Sequence, residues 1–348
     1  MKANCFCSPL CVLYAASLLG QASAVTYYAS PQGGGNGSSA DRPFAVSRFG
    51  DKAQPGDALL LLDGVYTGAE AMIDPPRGLR GTSAAPITIR AANDGQVTLD
   101  GQGRANPVML RGNDWFVVEG INAHHAKATV VEISRSNHCI IRRVRGWDAA
   151  DGDTNIFAAH YGEYGLFEDC AGWGIARKTF SCSQGGNYTT FRRRFGCWEG
   201  CHAVGPKMAF TWFYNSHHIT AENCIATWNG RLMREQHTAL GSDGRPFTAW
   251  KDGSAKPRHY TDYGVDQPYG CFSADRIDSG PTKGPSVYGC IAYRLKSQRV
   301  ADGVESGRAA WKQVFQPQQQ GAHIYYCYEN GKLTDKPLWP RPPNQRIK

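Results

Sequence analysis

The chain has 348 residues, of which 40 are Gly, 41% are hydrophobic and 20% are charged, and its formal net charge is +8. This composition excludes a disordered chain, which would hold fewer apolar residues, and a helical bundle, which would hold more Ala, Leu, Glu and Lys with less Gly. The positive charge suits an acidic polymer as a partner but does not require one. What remains is a folded, aromatic-rich β protein.

The first 24 residues are typical of a secretory signal. Lys2 supplies a positive charge, residues 9–19 are largely apolar, and Ala22-Ser23-Ala24 forms a cleavage site of the A-x-A type. No later stretch approaches the roughly 20 apolar residues of a membrane helix. We therefore expect a secreted or periplasmic protein without a membrane span.

Residues 25–65 are predicted to form an N-terminal cap. This segment contains a strand, a Gly-rich loop, a short helix-compatible stretch at 45–53 and a second strand with the sequence LLLLDGVYTG. Residues 81–103 then form two strands split by a turn. The cap is predicted to be the first part of one long domain that spans residues 25–348.

The next part of the chain repeats with a nearly constant length. One inward position recurs at spacings of 23, 26, 25 and 29, at Ile121, Val144, Cys170, Phe195 and Cys224. A repeat of about 25 residues is typical of a solenoid in which each coil contributes two or three short strands and coils stack at about 4.8 Å. The sequence therefore predicts an all-β fold, a single-stranded right-handed parallel β-helix.

Aromatic residues recur at the same spacing and predict two stacked rows. The first consists of Trp147, Trp173 and Trp198, and the second of Phe157, Phe180 and Phe210. The Phe row places Asn155, Lys178 and Met208 in one column, with Thr154, Arg177 and Lys207 beside it. We interpret the Trp row as a structural ladder. The alternative is a platform on which sugar rings stack, with Trp173 binding substrate.

The coil rhythm is lost between residues 230 and 285, which are rich in Gly, Pro, Tyr and charge. We predict that this segment is a long loop insertion. Nine cysteines lie outside the signal, with no spacing typical of a zinc site, so most are predicted to be small packing residues. Five histidines are predicted to fall at turns, and no H-E-x-x-H motif or spaced His/Asp triad is present; they are His124, His125, His202, His217 and His218.

The N-terminal motifs carry a resemblance. The segments YYASPQG, AQPGD, LLDGVYTG, GTSAAPITIRA and VTLDG resemble the cap and first coils of the pectate-lyase-like β-helix superfamily, especially the secreted lyases that act on pectate, alginate and chondroitin. The resemblance covers residues 26–228. It implies the β-helix fold, a Ca²⁺ ion held by clustered aspartates against the substrate carboxylate, and a lysine or arginine as the base.

Asp148, Asp151 and Asp153 are the candidate metal ligands. They stand close together in the segment WDAADGDTN at a coil corner, and carboxylate oxygens are the ligands that Ca²⁺ prefers. The alternative is that they are turn-forming aspartates that accept hydrogen bonds from backbone amides.

Lys178 and Arg177 are the candidate catalytic pair, one coil further along. Cleavage of a uronate by β-elimination needs a base beside the carboxylate and positive groups that stabilise the developing negative charge. A lysine acts as a base only when its protonated form is disfavoured, which an adjacent arginine or a bound Ca²⁺ achieves. Alternatively, this is an exposed basic pair at a strand edge. Lys207, Arg194 and Trp173 are predicted to bind substrate.

Further basic residues follow the strands of successive coils, at Arg142, Arg143, Arg145, Arg192, Arg193 and Arg194. One interpretation is a set of ion pairs between coils, in which Glu168 and Asp169 are the acidic partners. The other is a groove for an anionic polymer.

The leading hypothesis is a monomeric, secreted polysaccharide lyase that cleaves an acidic polysaccharide by Ca²⁺-assisted β-elimination, with no nucleic-acid partner. A non-catalytic β-helix that binds glycan or has a structural role is the main alternative, because the pattern indicates the fold more strongly than the site. A glycoside hydrolase is the other, although the three aspartates share one turn and a hydrolase needs carboxylates on either side of the scissile bond.

Overall fold

The structure is a computed structural model. It describes residues 24–150, 154–174, 176, 178–192, 201–205, 208–212, 216–222 and 224–229, and the strands at 272–274, 286–288, 291–295, 315–317, 323–325 and 328–334. Two short 3-10 helices, Val46–Phe49 and Ala69–Ala71, accompany the strands. No helix in this part of the chain is long and apolar enough to cross a membrane.

The strands are short and follow one another in a regular order. They are β1 (Thr26–Ala29), β2 (Ala58–Leu61), β3 (Gly64–Thr67), β4 (Ile87–Ala91), β5 (Val97–Asp100), β6 (Val108–Arg111), β7 (Phe116–Glu119), β8 (Ile121–His124), β9 (Val131–Ser134), β10 (Ile140–Arg142), β11 (Arg145–Trp147), β12 (Asn155–His160), β13 (Leu166–Glu168), β14 (Ala171–Trp173), β15 (Lys178–Ser183), β16 (Thr190–Arg192), β17 (His202–Gly205), β18 (Met208–Trp212), β19 (Thr220–Glu222), β20 (Ile225–Asn229), β21 (Phe272–Ala274), β22 (Ser286–Tyr288), β23 (Ile291–Leu295), β24 (Phe315–Pro317), β25 (His323–Tyr325) and β26 (Tyr328–Thr334).

These strands form three parallel sheets that run along a common axis. Sheet A runs from β1 to β25, sheet B from β3 to β26 and sheet C from β6 to β24, and each strand pairs with strands of the preceding and following coils. For example, β10 pairs in parallel with β7 on one side and with β13 on the other. One coil therefore consists of a strand of A, then B, then C, which confirms the predicted parallel β-helix.

Side-chain alternation explains why these segments are strands. In β4, Ile87, Ile89 and Ala91 are buried, whereas Thr88 and Arg90 face outward. A period of two places one face of each strand in the interior and the other outside. Because the interior is narrow and continuous, the inward positions of successive coils form rows along the axis.

The inward row at the start of sheet B differs from the prediction at one position. Ile121, Val144, Cys170 and Cys224 are all fully buried, as expected. Ala171 pairs with His202, which places Cys201 directly above Cys170. The prediction of Phe195 in this row was wrong, because the step from Cys170 to Cys201 is 201 − 170 = 31 residues and a constant coil length does not hold there. Phe195 itself lies outside the described residues.

Both predicted aromatic stacks are confirmed where the structure describes them. The rings of Phe157 and Phe180 are 4.6 Å apart, and those of Phe180 and Phe210 are 4.8 Å apart, with interplanar angles of 6° and 5°. Trp147 and Trp173 stack at 5.1 Å, and Trp198 lies outside the described residues. The Phe rings are fully buried, so this stack fills the interior.

An exterior aromatic ladder, which the sequence analysis missed, marks the corner between sheets C and A. It consists of Trp115, His138, Tyr164, Tyr188 and His218, with neighbouring rings 4.0 to 5.0 Å apart. Each member has a positive φ between 52° and 58°, so every coil turns this corner through the same left-handed residue. Because the ring faces contact one another, only their edges face solvent, and the ladder offers little surface for stacking a sugar.

The cysteines in the described region are packing residues, as predicted. Cys139, Cys170, Cys182, Cys201 and Cys224 are buried and unbridged. Burial raises the pKa of the Cys139 and Cys182 thiols to about 12. Thiols with such pKa values are inert at neutral pH.

The outer face of sheet A carries an ion-pair row between coils. Arg142 Nε donates to Glu168 Oε2 at 2.5 Å, and Arg192 Nε donates to the other oxygen of the same carboxylate at 3.0 Å. Glu119 lies 3.5 Å from Arg142 on the preceding coil. The predicted pairing of these arginines with Glu168 is confirmed. Arg193 and Arg194 lie outside the described residues.

Glu168 makes stability depend on pH. Burial alone would raise the pKa of this carboxyl, but Arg142 and Arg192 outweigh it and hold the pKa below its ordinary value. A depressed folded-state pKa stabilises the fold above the unfolded value of about 4.3, and this contribution is lost as the pH falls through the folded pKa. We expect Glu168→Gln to lower the free energy of unfolding at pH 7 by about 2 kcal/mol.

Urea unfolding at pH 7 and pH 3 measures this effect. The difference between wild type and Glu168→Gln should shrink as the pH is lowered, because protonation of the wild-type carboxylate removes the charge that Arg142 and Arg192 bind. The exposed Glu70→Gln serves as the control and should differ little from wild type at both pH values. A difference for Glu168→Gln that stays the same at pH 3 would contradict the prediction.

Candidate functional site

A column of polar and aromatic side chains runs up the outer face of sheet B. Asp100, His124, Trp147 and Trp173 are register partners on four successive coils. The His124 ring stacks on Trp147 at 4.4 Å with an interplanar angle of 7°. Trp147 therefore has a ring on each face, as a structural ladder requires. Trp173 is 4% exposed, and its role in substrate binding stays a prediction.

Two adjacent histidines meet Asp100 at the end of this column. His125 Nδ1 is 3.3 Å from Asp100 Oδ1, and His124 Nδ1 is 3.9 Å from the same oxygen. Successive side chains of a strand normally point to opposite faces. The positive φ of His125, 49°, breaks this alternation and brings both rings to the same carboxylate.

Asp100 is ionised in this setting. Burial raises the pKa of its carboxyl, but the hydrogen bond with His125, the backbone N–H of Gln102 and the nearby imidazoles together hold the pKa below its ordinary value. The group thus combines one carboxylate oxygen with two imidazole nitrogens, all within 4.8 Å of one another.

Asp148 lies one coil above His125. Its side chain is fully buried, and its Oδ2 is 3.9 Å from His125 Nε2. On the other side, a Cβ at Gly174 would lie 2.3 Å from Asp148 Oδ1, so only glycine leaves room for this carboxylate. Asp148 is therefore held between an imidazole and a glycine.

The described residues do not assemble the predicted Ca²⁺ site. Ca²⁺ takes six to eight oxygen ligands, and Asp148 contributes one carboxylate that faces an imidazole nitrogen. Asp151 and Asp153 lie outside the described residues. The Ca²⁺ site of Asp148, Asp151 and Asp153 therefore stays a prediction.

Lys178 begins β15 in sheet C and is 4% exposed. Its register partners are Asn155 on the coil below and Met208 on the coil above, which confirms the predicted column. Burial of an amine is one of the conditions under which a lysine acts as a base. The other predicted residues of this region, Arg177, Lys207 and Arg194, lie outside the described residues.

Sheet C presents two outward rows, which we call the sheet C outer face. They consist of Met109, Glu132, Ala158 and Ser181 in one row and Arg111, Ser134, His160 and Ser183 in the other. The alternate residues, including Phe157, Ala159 and Cys182, belong to the interior. The sheet C outer face therefore collects basic, acidic and hydroxyl groups on successive coils.

His160 is the neutral base-type group of this face. Its Nδ1 is hydrogen bonded to Ser183 Oγ at 2.8 Å. Burial lowers the pKa of His160 to about 4, and the positive charge of Lys178 contributes to the shift. The imidazole is thus neutral at pH 7, and the lysine is close enough to influence its protonation.

Glu132 is the acid-type group of the same face, one coil below His160. Burial raises the pKa of Glu132 above its ordinary value, and the charges of Arg111 and Arg135 only partly offset this effect. Its register partner is Ala158, so Glu132 and His160 are diagonal neighbours with backbones about 8 Å apart. Both shifts have the same main cause, burial, which favours the neutral form of each group.

Three buried side-chain oxygens of β12 and β15 accept or donate no hydrogen bond within the described part of the chain. They are Asn155 Oδ1, Thr179 Oγ1 and Ser181 Oγ. Buried polar groups in proteins almost always have partners. Asn155 is the register partner of Lys178, and Thr179 and Ser181 lie on the same strand as Lys178.

Lys178 and Asp148 were predicted from the sequence, whereas Asp100, His124, His125, His160 and Glu132 were missed. The coil spacing in the sequence could have identified the histidines that were missed. His124 follows Asp100 by 24 residues, and Asp148 follows His125 by 23, so an alignment of coils would have placed these pairs in contact. His160 and Ser183 are likewise 23 residues apart.

The sequence of the chain was compared with protein families and with proteins of curated function. A sequence profile of the chondroitinase B family matches residues 45–145, which include Asp100, His124, His125 and Glu132 but neither Asp148 nor Lys178. No protein of curated function matches the chain by sequence. The match covers 101 of 348 residues.

Solved structures of several polysaccharide lyases resemble the chain. The pectate lyase Pel9A superimposes with a TM-score of 0.54 and 14% identity, over 91% of this chain and 80% of that one. A rhamnogalacturonan lyase gives a TM-score of 0.47 and 14% identity over 78% and 68% of the two chains. An alginate lyase from Paenibacillus gives 0.45 and 12% over 87% and 99%. The pectate lyase shows the shared β-helix fold, which confirms the predicted resemblance at the level of fold.

Proposed function

We propose that the protein is an exported lyase that cleaves an acidic polysaccharide by β-elimination on the sheet C outer face. The observation that carries the proposal is the group of Glu132, His160 and Ser183 on this face, with the buried Lys178 near enough for its charge to act on His160. The chondroitinase B match and the pectate lyase fold are consistent with a uronate polymer as the substrate class.

Each chemical requirement of the reaction has a candidate group. Lys178, in its deprotonated form, would take the proton from C5 of a uronate, and the C4–O bond would break as the C4–C5 double bond forms. Glu132, with its raised pKa, would return a proton to the departing glycosidic oxygen. Lys178 and Glu132 would then exchange protons with water to restore their starting forms.

Positive groups would hold the substrate carboxylate and its developing charge. Arg111 and Arg135 are close enough to Glu132 to affect its pKa, and Arg135 lies over the Tyr161 ring at 4.7 Å. Arg177, Lys207 and Arg194 remain proposed members of this set. Neutral His160 can exchange a hydrogen bond with a sugar hydroxyl without adding a second positive charge beside the base.

The composition of the face favours elimination over hydrolysis. A glycoside hydrolase needs two carboxyl groups flanking the scissile bond. Glu132 is the one carboxylate in the two described rows of the sheet C outer face.

Incubation with pectate, alginate and glycosaminoglycans tests the proposal. We expect ultraviolet absorbance of the C4–C5 double bond to rise together with reducing ends on at least one polymer. New reducing ends without absorbance would show hydrolysis, and binding without either would show a non-catalytic protein. Loss of activity with a chelator, restored by Ca²⁺, would support the proposed calcium site of Asp148, Asp151 and Asp153.

A further inference from the structure

We propose that Asp100, His124 and His125 bind a divalent transition-metal ion of the zinc class, with Asp148 as the outer-shell partner of His125. This site lies at the end of the sheet B column. It uses no residue of the sheet C outer face, and of the proposed calcium ligands it involves only Asp148, as a neighbour of a metal ligand and not as a direct one.

The distances between the donor atoms suit such an ion. Two ligands at about 2.0 to 2.1 Å from a tetrahedral zinc ion lie about 3.3 Å from each other. Asp100 Oδ1 is 3.3 Å from His125 Nδ1 and 3.9 Å from His124 Nδ1. One ligand atom from each of the three residues lies within 4.8 Å of the other two, which is close enough for a single ion to lie between them.

The chemistry of the donors selects the class of metal. Imidazole nitrogen is a ligand for zinc, copper, nickel and iron, whereas calcium and magnesium prefer oxygen. Two of the three donors here are imidazole nitrogens. The described group therefore suits a zinc-class ion and does not suit Ca²⁺.

Surrounding residues already hold the donors in place. The His124 ring is fixed against Trp147 at 4.4 Å, and the two histidine rings pack edge to face at 4.4 Å. Asp148 Oδ2 faces Nε2 of His125 at 3.9 Å, on the side of the ring away from Asp100. A carboxylate behind a histidine ligand is the arrangement that orients and strengthens metal-binding imidazoles.

The site is accessible and has room for further ligands. The side chains of Asp100, His124 and His125 are 22%, 12% and 24% exposed. Three protein ligands leave at least one coordination position for water or a substrate oxygen, as in zinc sites of the open type.

Isothermal titration of the full chain, without a polyhistidine tag, with Zn²⁺ alone tests the proposal. We expect one Zn²⁺ per chain, with Ca²⁺ and Mg²⁺ unable to compete. His124→Ala and His125→Ala should each weaken Zn²⁺ binding by at least about 100-fold. Asp148→Asn should weaken it by about 10- to 100-fold, which is typical of an outer-shell partner.

His218→Gln is the matched control, because His218 ends the exterior aromatic ladder at another corner. It should bind Zn²⁺ as wild type does. Far-ultraviolet circular dichroism of each variant identifies any that fail to fold, and X-ray absorption of the zinc-bound wild type should show two imidazole ligands.

Wild type that binds no Zn²⁺, or a His124→Ala/His125→Ala double variant that binds as tightly as wild type, would overturn the proposal. Neither result would bear on lyase activity, which the polymer assay measures separately.

Discussion

Lys178→Met is expected to slow uronate cleavage by about 10²- to 10⁴-fold, the usual contribution of a general base. Methionine is chosen because its unbranched side chain is close in length to that of lysine and carries no amine. The variant keeps the packing of a residue that is 4% exposed and removes only the amine.

Initial rates of ultraviolet absorbance on the best polymer measure the effect. Lys127→Met is the matched control, because Lys127 is exposed and lies outside the sheet C outer face; its rate should stay close to that of wild type. We expect the fall for Lys178→Met to appear in kcat more than in KM, since a base acts in the transition state. Equal rates for Lys178→Met and wild type would remove Lys178 from the mechanism.

Phe180→Ala is expected to lower the free energy of unfolding by about 3 to 5 kcal/mol, the usual cost of deleting a buried phenylalanine ring. Phe180 is the middle ring of the interior stack, between Phe157 and Phe210. Its ring also contacts the edges of Phe167 and Phe191. The deletion therefore opens a cavity at a point where three coils meet.

Tyr164→Ala provides the comparison, because Tyr164 is also a middle ring, stacked between His138 and Tyr188 in the exterior ladder. Tyr164 is 47% exposed, so its loss should cost only about 1 kcal/mol, close to the value of the stacking itself. Urea unfolding of both variants measures the difference. Similar losses for the two variants would show that stacking, and not burial, stabilises the coils.

The fold was predictable because a β-helix repeats its own contacts. Ile121, Val144 and Cys170 recur at the coil length, and the recurrence of Phe157, Phe180 and Phe210 defines a second strand in the same coil. Where the coil length changes, the prediction fails: the 31-residue step to Cys201 displaced the register. A prediction that assumes a constant coil length cannot detect a coil that is longer than the others.

The site was predictable only in part, for a related reason. Lys178 and Asp148 stand out in the sequence, one beside an arginine and the other in an Asp-rich turn. The contacts of His125 with Asp100 and Asp148 join residues on three coils, and they depend on a left-handed backbone at His125. The pKa shifts of His160 and Glu132 depend on burial in the folded sheet, which no local motif records.

The sequence left open whether the basic residues form ion pairs between coils or line a groove for an anionic polymer. On sheet A, Arg142 and Arg192 share the carboxylate of Glu168, so their charges stabilise the stack of coils. On sheet C, the buried hydroxyl oxygens of Thr179 and Ser181 have no hydrogen-bond partner within the described residues. Part of the basic excess of the chain therefore stabilises the packing of coils on sheet A.

A crystal structure of the Lys178→Met variant with an unsaturated or intact oligouronate would test the proposed site most directly. We predict that the sugar chain lies across the sheet C outer face, with the C5 atom of one uronate next to residue 178 and the glycosidic oxygen near Glu132. An oligouronate bound instead along the exterior aromatic ladder or over sheet A would contradict the proposed location of the reaction.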